Sequence, residues 1–204
     1  VATTGVDSVT QCELHTAIWS SWNDANFYEL AWSLDRHRRL RQTFAPVTFM
    51  GNHDATRLAS HLGDPWHLDA ALGHPVHRPR QPCVYYGDEF AGRGVKEQRA
   101  GGDDAIRPVL PPTPDPVDQE KAQALRLHRE LIGFRRARPW LTDADIEVVD
   151  LGNRKITCAV TGAADALMTT VHVDLTDAIG PPSGWQLIVS HPGVAICERA
   201  PRHA

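Results

Sequence analysis

No basic stripe runs through these 204 residues, and net charge is −4 at neutral pH. With a pI near 6.3, the chain lacks the electrostatic footprint of a nucleic-acid binder. No apolar run approaches the roughly 18 residues that a membrane span requires, and no basic-then-apolar secretory leader opens the sequence. Paired cysteines of the C-x-x-C type are missing too. Cys12, Cys83, Cys158 and Cys197 are scattered, a pattern that reads as reduced thiols in a cytoplasmic protein. There is no internal repeat, and the chain opens on Val1.

What is present suffices for a sizeable core, since 42% of residues are hydrophobic and 23% charged. From Val6 to about Leu141, strand-like and helical stretches alternate. "VDSVTQ" reads as a strand. The segment that follows it, "ELHTAIWSSWNDANFYELAWSLDRHRRLRQTF", repeats Leu14, Ile18 and Trp22 at helical spacing. After a break at Asn23-Asp24 it repeats Phe27, Leu30, Trp32 and Leu34. "PVTFM" and "CVYYG" (Cys83 to Gly87) are further strands, rich in β-formers. "LPPTPDP" is a loop, and Gln119 to Arg138 a long helix with Leu125, Leu127, Leu131, Ile132 and Phe134 on its apolar face. Such alternation argues for parallel βα units.

From about Thr142 the texture changes. "IEVVDLG", "KITCAV", "ALMTTVHVDL", "GWQLIVS" and "GVAICE" are strand-like runs separated by turn residues, which predict a small antiparallel β domain. The expected fold is thus α/β. Residues 1–141 form the C-terminal part of a (β/α)8 barrel, about strands 6–8, and residues 142–204 a β-sandwich. A full barrel takes about 250 residues, so the α/β part reads as truncated, with open strand edges on both sides.

"FMGNHDATR", followed about thirty residues later by "PCVYYGDEF", then by a helix containing "LIGFRRARPWL" and a β region, resembles the α-amylase superfamily, glycoside hydrolase family 13. "GRGVKEQRAGGDDAIRP" adds the look of its bacterial α-glucosidase and maltodextrin-hydrolase branch. The resemblance implies that strands 6, 7 and 8 end at "DSVTQ", "VTFMGNHD" and "CVYYGDE". It implies retaining cleavage of α-glucosidic bonds in maltodextrin-type glucans, by a nucleophile after strand 4 and an acid/base after strand 5. Asp54 matches the third carboxylate of that scheme, which stabilises the transition state by holding sugar hydroxyls. His53, Asn52 and Arg57 are the implied substrate-binding residues, Arg57 being read alternatively as orienting a neighbouring carboxylate, and the implied ligand is an α-glucan or maltooligosaccharide. The chemistry suits the residue types, because a carboxylate accepts from hydroxyls and an imidazole donates to an oxygen gaining charge.

Strands 4 and 5 have no counterpart in these residues, so the nucleophile and acid/base are missing. The chain is expected to be inactive alone. Its alternatives are a carbohydrate-binding remnant or one half of a split enzyme, completed by an upstream-encoded half-barrel chain. Glu13 reads as a helix-start residue favoured by the dipole, and Asp88 and Glu89 as structural groups. Trp19, Trp22, Trp32, Trp66, Trp140 and Trp185 offer sugar-stacking surface, but most of those at helical spacing read as core. Many relatives bind Ca²⁺; "GGDD" (Gly101 to Asp104) is an oxygen-rich loop that a solvated turn explains equally well. No cofactor or metal is assigned. His74 and His77, with His61, His67 and Asp69, make only a weak metal-like cluster.

The segment Gly73 to Gln81 departs from the resemblance. It reads "GHPVHRPRQ" where an apolar helix belongs, and proline in a helix interior costs about 3 kcal/mol or more. With suitable third bases, a one-base shift turns Gly-His-Pro-Val-His-Arg-Pro-Arg-Gln-Pro into Ala-Ile-Leu-Phe-Thr-Val-Pro-Gly-Ser-Pro. The segment is therefore read as lying between two compensating frameshifts, which resequencing of the locus would test.

Overall fold

The computed structural model describes residues 5–73, 81–110, 118–174 and 180–199. Residues 74–80 lie outside them, and with them His74, His77 and the core of the frameshift reading. Most of the proline-rich loop also lies outside, at residues 111–117.

The predicted helical segment divides where expected, into α1 (Cys12–Asn23) and α2 (Tyr28–Leu40). Asp24 N–H donates to the Ser20 carbonyl, and Ala25 takes a positive φ of 48° that ends the first helix. Asn26 Oδ1 accepts from Tyr28 N–H at 3.1 Å and starts the second. Leu14, Ile18 and Trp22 on α1 are buried, as are Phe27, Leu30 and Leu34 along α2. Full burial of each such side chain contributes roughly 1.5–3 kcal/mol. Trp32 departs from the expectation: it is exposed on the outer face, where Arg36 lies 4.9 Å over its ring.

Three parallel segments follow one another across the α/β part. β1 (Val47–Phe49) pairs in parallel with β2 (Gln81–Cys83). The "VDSVTQ" stretch contributes only a bridge from Thr10 to Val47, because the chain turns into α1 at Cys12. The third strand is also displaced from its expected span of Cys83 to Gly87. Pairing stops at Cys83, since Tyr85 and Tyr86 turn aside to cover an arginine, and Gly87 takes φ 87°. Two short helices, α3 (Leu58–His61) and α4 (His67–Leu72), lie between β1 and β2.

The long helix α5 (Gln119–Arg136) begins at Asp118, whose carboxylate accepts from Lys121 N–H at 2.9 Å. This capping bond satisfies one of the orphan donors of the first turn. Ala124, Leu127, His128 and Phe134 form its buried face, whereas Ile132 is exposed.

Then come β3 (Asp145–Leu151), β4 (Lys155–Thr161), β5 (Ala166–His172), β6 (Trp185–His191) and β7 (Val194–Arg199). They form one antiparallel sheet in the order β3-β4-β5-β7-β6. Among the described residues this is a single sheet, and its buried face shares a core with the α/β part. Ile146, Ile156, Cys158, Val160, Leu167 and Ile196 join the same core cluster as Leu14, Trp22 and Leu127. Polar ties reinforce the junction. Arg38 and Arg41 on and after α2 grip Asp145 of β3 at 2.8 and 3.3 Å, and Arg138 pairs bidentately with Glu198 of β7, both contacts 3.0 Å. All four cysteines are free thiols, and burial pushes that of Cys158 up to about 12. Among the described residues no helix is long and apolar enough to cross a membrane.

Candidate functional site

β1 runs into the polar triplet through Met50 and Gly51, both buried. A Cβ on Gly51 would stand 2.1 Å from Asp88 Oδ2, so only glycine lets the end of β1 lie against that carboxylate. Asn52 then folds the chain over, its Oδ1 accepting from Asp54 N–H at 2.8 Å. This Asx turn is a local device of the Asn side chain. Asn52 thus shapes the turn instead of reaching outward. The turn puts His53 and Asp54 on the surface.

Asp54 is 66% exposed and ion-paired with Lys96. The Lys96 contact, helped by His53 and Arg107, holds its carboxyl below the usual carboxylate range. Lys96 Nζ also donates to the Asp54 carbonyl at 3.0 Å, and Arg107 Nε to the His53 carbonyl at 2.7 Å. The site therefore offers an ionised carboxylate, an imidazole and two cations on one rim.

Arg57, expected either to contact substrate or to orient a neighbouring carboxylate, is buried to 1% exposure, where it holds a carboxylate. Its guanidinium donates to Asp88 Oδ1 at 2.9 Å, to the Tyr86 carbonyl at 2.7 Å, and through Nε and Nη2 to the Ile106 carbonyl at 3.2 and 2.9 Å. The rings of Tyr85 and Tyr86 cover it at 4.5 and 5.1 Å. Its fork of donors joins three loops in one place, a task for which a planar guanidinium is suited. Asp88, read from the sequence as a structural group, is its partner, and the close approach of Gly51 marks the place. Burial pushes the Asp88 carboxyl up to about 6 despite the adjacent arginine, and its Oδ2 has no hydrogen-bond partner. Glu89 accepts from Gly87 N–H at 2.7 Å and holds the same turn.

The remaining candidates stand apart from this rim. Glu13 lies in the first turn of α1 and pairs with Arg36 at 3.0 Å. His61 stacks on Trp19 at 4.2 Å, and His67 Nε2 lies 3.1 Å from the Val173 carbonyl. Asp69 accepts from Gln123. The Gly101 to Asp104 stretch is a turn whose Asp103 pairs with Arg107 at 2.7 Å. Among the described residues, no cluster of three or more His, Cys, Asp or Glu could hold a metal. Of the tryptophans, Trp22 is core, while Trp66 is the most exposed large apolar side chain near the α/β rim helices.

The chain is thus a parallel β-layer with helices, carrying a loop-borne carboxylate at its C-terminal edge and closed by an antiparallel sheet. No protein-family model matches the chain, and no curated protein sequence does. Solved structures do match. The α-amylase of H. orenii superposes with TM-score 0.73 and 18% identity, over 96% of this chain and 47% of that one. The α-amylase of Geobacillus thermoleovorans, solved with acarbose, gives 0.74 and 14% over 99% and 50%. The cyclic α-maltosyl-(1→6)-maltose hydrolase of Arthrobacter globiformis gives 0.65 and 18% over 98% and 47%. The chain thus has the fold of α-amylase-family enzymes and spans about half of their length.

Proposed function

We propose that the chain is the C-terminal half of a family 13 glycoside hydrolase acting on α-glucosidic bonds of maltodextrin-type glucans, and that it supplies the sugar-holding rim. The observation that carries the reading is Asp54: an ionised, exposed carboxylate at the C-terminal edge of β1, beside His53 and locked by Lys96. Such a group accepts from paired sugar hydroxyls, and its value grows as the ring distorts toward the oxocarbenium-like transition state. His53 supplies a donor to the same sugar. Asn52 and Arg57 act through them, the first by turning the chain and the second by fixing the loops.

Bond cleavage by the retaining route needs two further carboxyl groups about 5–5.5 Å apart across the scissile bond. Among the described residues, Asp88 is the only other carboxylate against the rim motif that is buried, and it faces Arg57 and Gly51 instead of solvent. The nucleophile and acid/base are therefore assigned to the barrel strands that residues 1–204 do not include, whether carried on the same polypeptide or another. The test is hydrolysis of maltotriose by the purified chain beside its binding of the same sugar. Binding without turnover is expected. Turnover well above blank would place the bond-breaking groups within this chain and overturn the division.

A further inference from the structure

Apart from Lys96, the segment 93–107, from the stretch "GRGVKEQRAGGDDAIRP", has no part in the proposed function. It leaves the turn after β2 and folds back over residues 53–60 as a strap fastened at both ends. At its start, Gly94 N–H donates to Ser60 Oγ at 2.9 Å, Arg57 N–H to the Gly94 carbonyl at 3.0 Å, and Lys96 N–H to Thr56 Oγ1 at 3.0 Å. At its end, Arg57 holds the Ile106 carbonyl and Arg107 holds that of His53. The two arms touch, for a Cβ on Gly94 would stand 2.1 Å from the Ala105 carbonyl oxygen.

The strap delivers Lys96 to the one carboxylate that matters most. We propose that Lys96 is a positioning residue for Asp54: it grips one carboxylate oxygen and the main-chain carbonyl of Asp54, and so commits the other oxygen to the sugar. This inference rests on the reading of Asp54 as the sugar-holding carboxylate. Without the lysine, a 66% exposed side chain on a loop would sample several rotamers. With both points held, the free oxygen is oriented before substrate arrives, which is the structural form of preorganisation. The charged groups that face Asp54 are Lys96, His53 and Arg107, and Asp103 stands 3.7 Å from the Lys96 ammonium on its other side. Lys96 therefore bridges two carboxylates, and substrate need not displace it to reach the free oxygen of Asp54.

The experiment is a carboxyl-carbon NMR titration of Asp54 in the intact chain, in Lys96→Met and in Lys96→Arg, with maltotriose affinity measured on the same samples. In Lys96→Met the Asp54 midpoint is expected to rise, and maltotriose affinity to fall by about fivefold. Lys96→Arg is expected to restore both, which loss of a merely structural contact would not require. An unshifted Asp54 midpoint in Lys96→Met overturns the inference, as does maltotriose affinity equal to that of the unaltered chain. Lys96→Gln serves as a second variant should Lys96→Met lose its amide spectrum. If maltotriose does not bind the unaltered chain, the sugar-holding reading fails and the positioning role fails with it; a shifted midpoint would then report only the ion pair.

Discussion

The rim around Asp54 and the five-stranded sheet are held together by opposite means. In the sheet, stability comes from Ile156, Cys158, Val160, Leu167 and Ile196, apolar side chains buried to 3% exposure or less. Between its strands the Thr157 and Thr170 hydroxyls make a neutral contact 3.0 Å apart. Its charged ties, Arg41 to Asp145 and Arg138 to Glu198, lie where it meets the α/β part. At the rim, the centre is a buried guanidinium with a buried carboxylate, wrapped by two tyrosines and tied to main-chain carbonyls. An apolar layer tolerates small shifts of register and packing. A charge hub whose donors each have a fixed acceptor holds loops in one arrangement, which a sugar-holding carboxylate needs.

The sharpest way to break this comparison is to remove the hub. Arg57→Ala leaves Asp88 buried without its cation and costs about 3–5 kcal/mol. Urea denaturation should show that loss together with release of the 93–107 strap. Loss below about 1 kcal/mol would mean that the Arg57–Asp88 pair is worth no more than an exposed one. Leu167→Ala in the sheet should cost about 3 kcal/mol through cavity formation, with the amide signals of residues 52–57 unchanged. If those signals moved as much as in Arg57→Ala, the two regions would not be separable.

Acid titration sharpens the comparison further, because Asp88 and His15, both buried in the α/β part, contribute opposite slopes. Asp88 has its carboxyl raised to about 6 by burial, so the stability it contributes is full below about 3.8 and lost as pH rises through about 6. His15, buried and stacked 5.0 Å from Phe49, has its imidazole lowered to about 4, chiefly by burial and then by His61. Its contribution is full above about 6.5 and lost as pH falls through about 4. In the unaltered chain the two slopes oppose each other. Urea midpoints of His15→Leu should therefore fall between pH 4 and 6, and those of Asp88→Asn should rise over pH 4 to 6.5. A flat profile in both variants would contradict the burial of these groups. The smallest effect is expected at Glu13: Glu13→Ala removes a half-exposed pair with Arg36 and should change stability by less than about 1 kcal/mol. Maltotriose affinity should stay unchanged in that variant.

These contrasts also explain what the sequence made legible. Helical spacing found Leu14, Ile18, Trp22, Phe27, Leu30 and Leu34, because burial repeats with the helix period. The five strand-like runs of the sheet emerged from alternation and turn residues. Trp32 misled, since one apolar residue on the outer face keeps the hydrophobic count without keeping the phase. "CVYYG" misled for a different reason. Its β-formers cover Arg57 with their rings instead of extending a ladder, and such use of Tyr85 and Tyr86 depends on a residue 28 positions before the first of them. In the sequence the Asn-His-Asp triplet marked a candidate site. Asp88 read as a structural group and Arg57 as a contact for substrate or for a neighbouring carboxylate, but the pairings of Arg57 with Asp88 and of Lys96 with Asp54 were not legible. The partners are 31 and 42 positions distant, and no local pattern announces a long-range ion pair. Gly51 was the one local clue to Asp88, visible only once the close approach is known.

Calorimetric titration of maltotriose into the chain and into Asp54→Asn tests the sugar-holding rim most directly. The substitution keeps the shape of the side chain and removes its charge and its pair with Lys96. Affinity is expected to fall by roughly tenfold or more, the loss of a hydrogen bond to a charged group. Equal affinity in the two proteins would contradict the assignment of Asp54 as the carboxylate that holds the sugar.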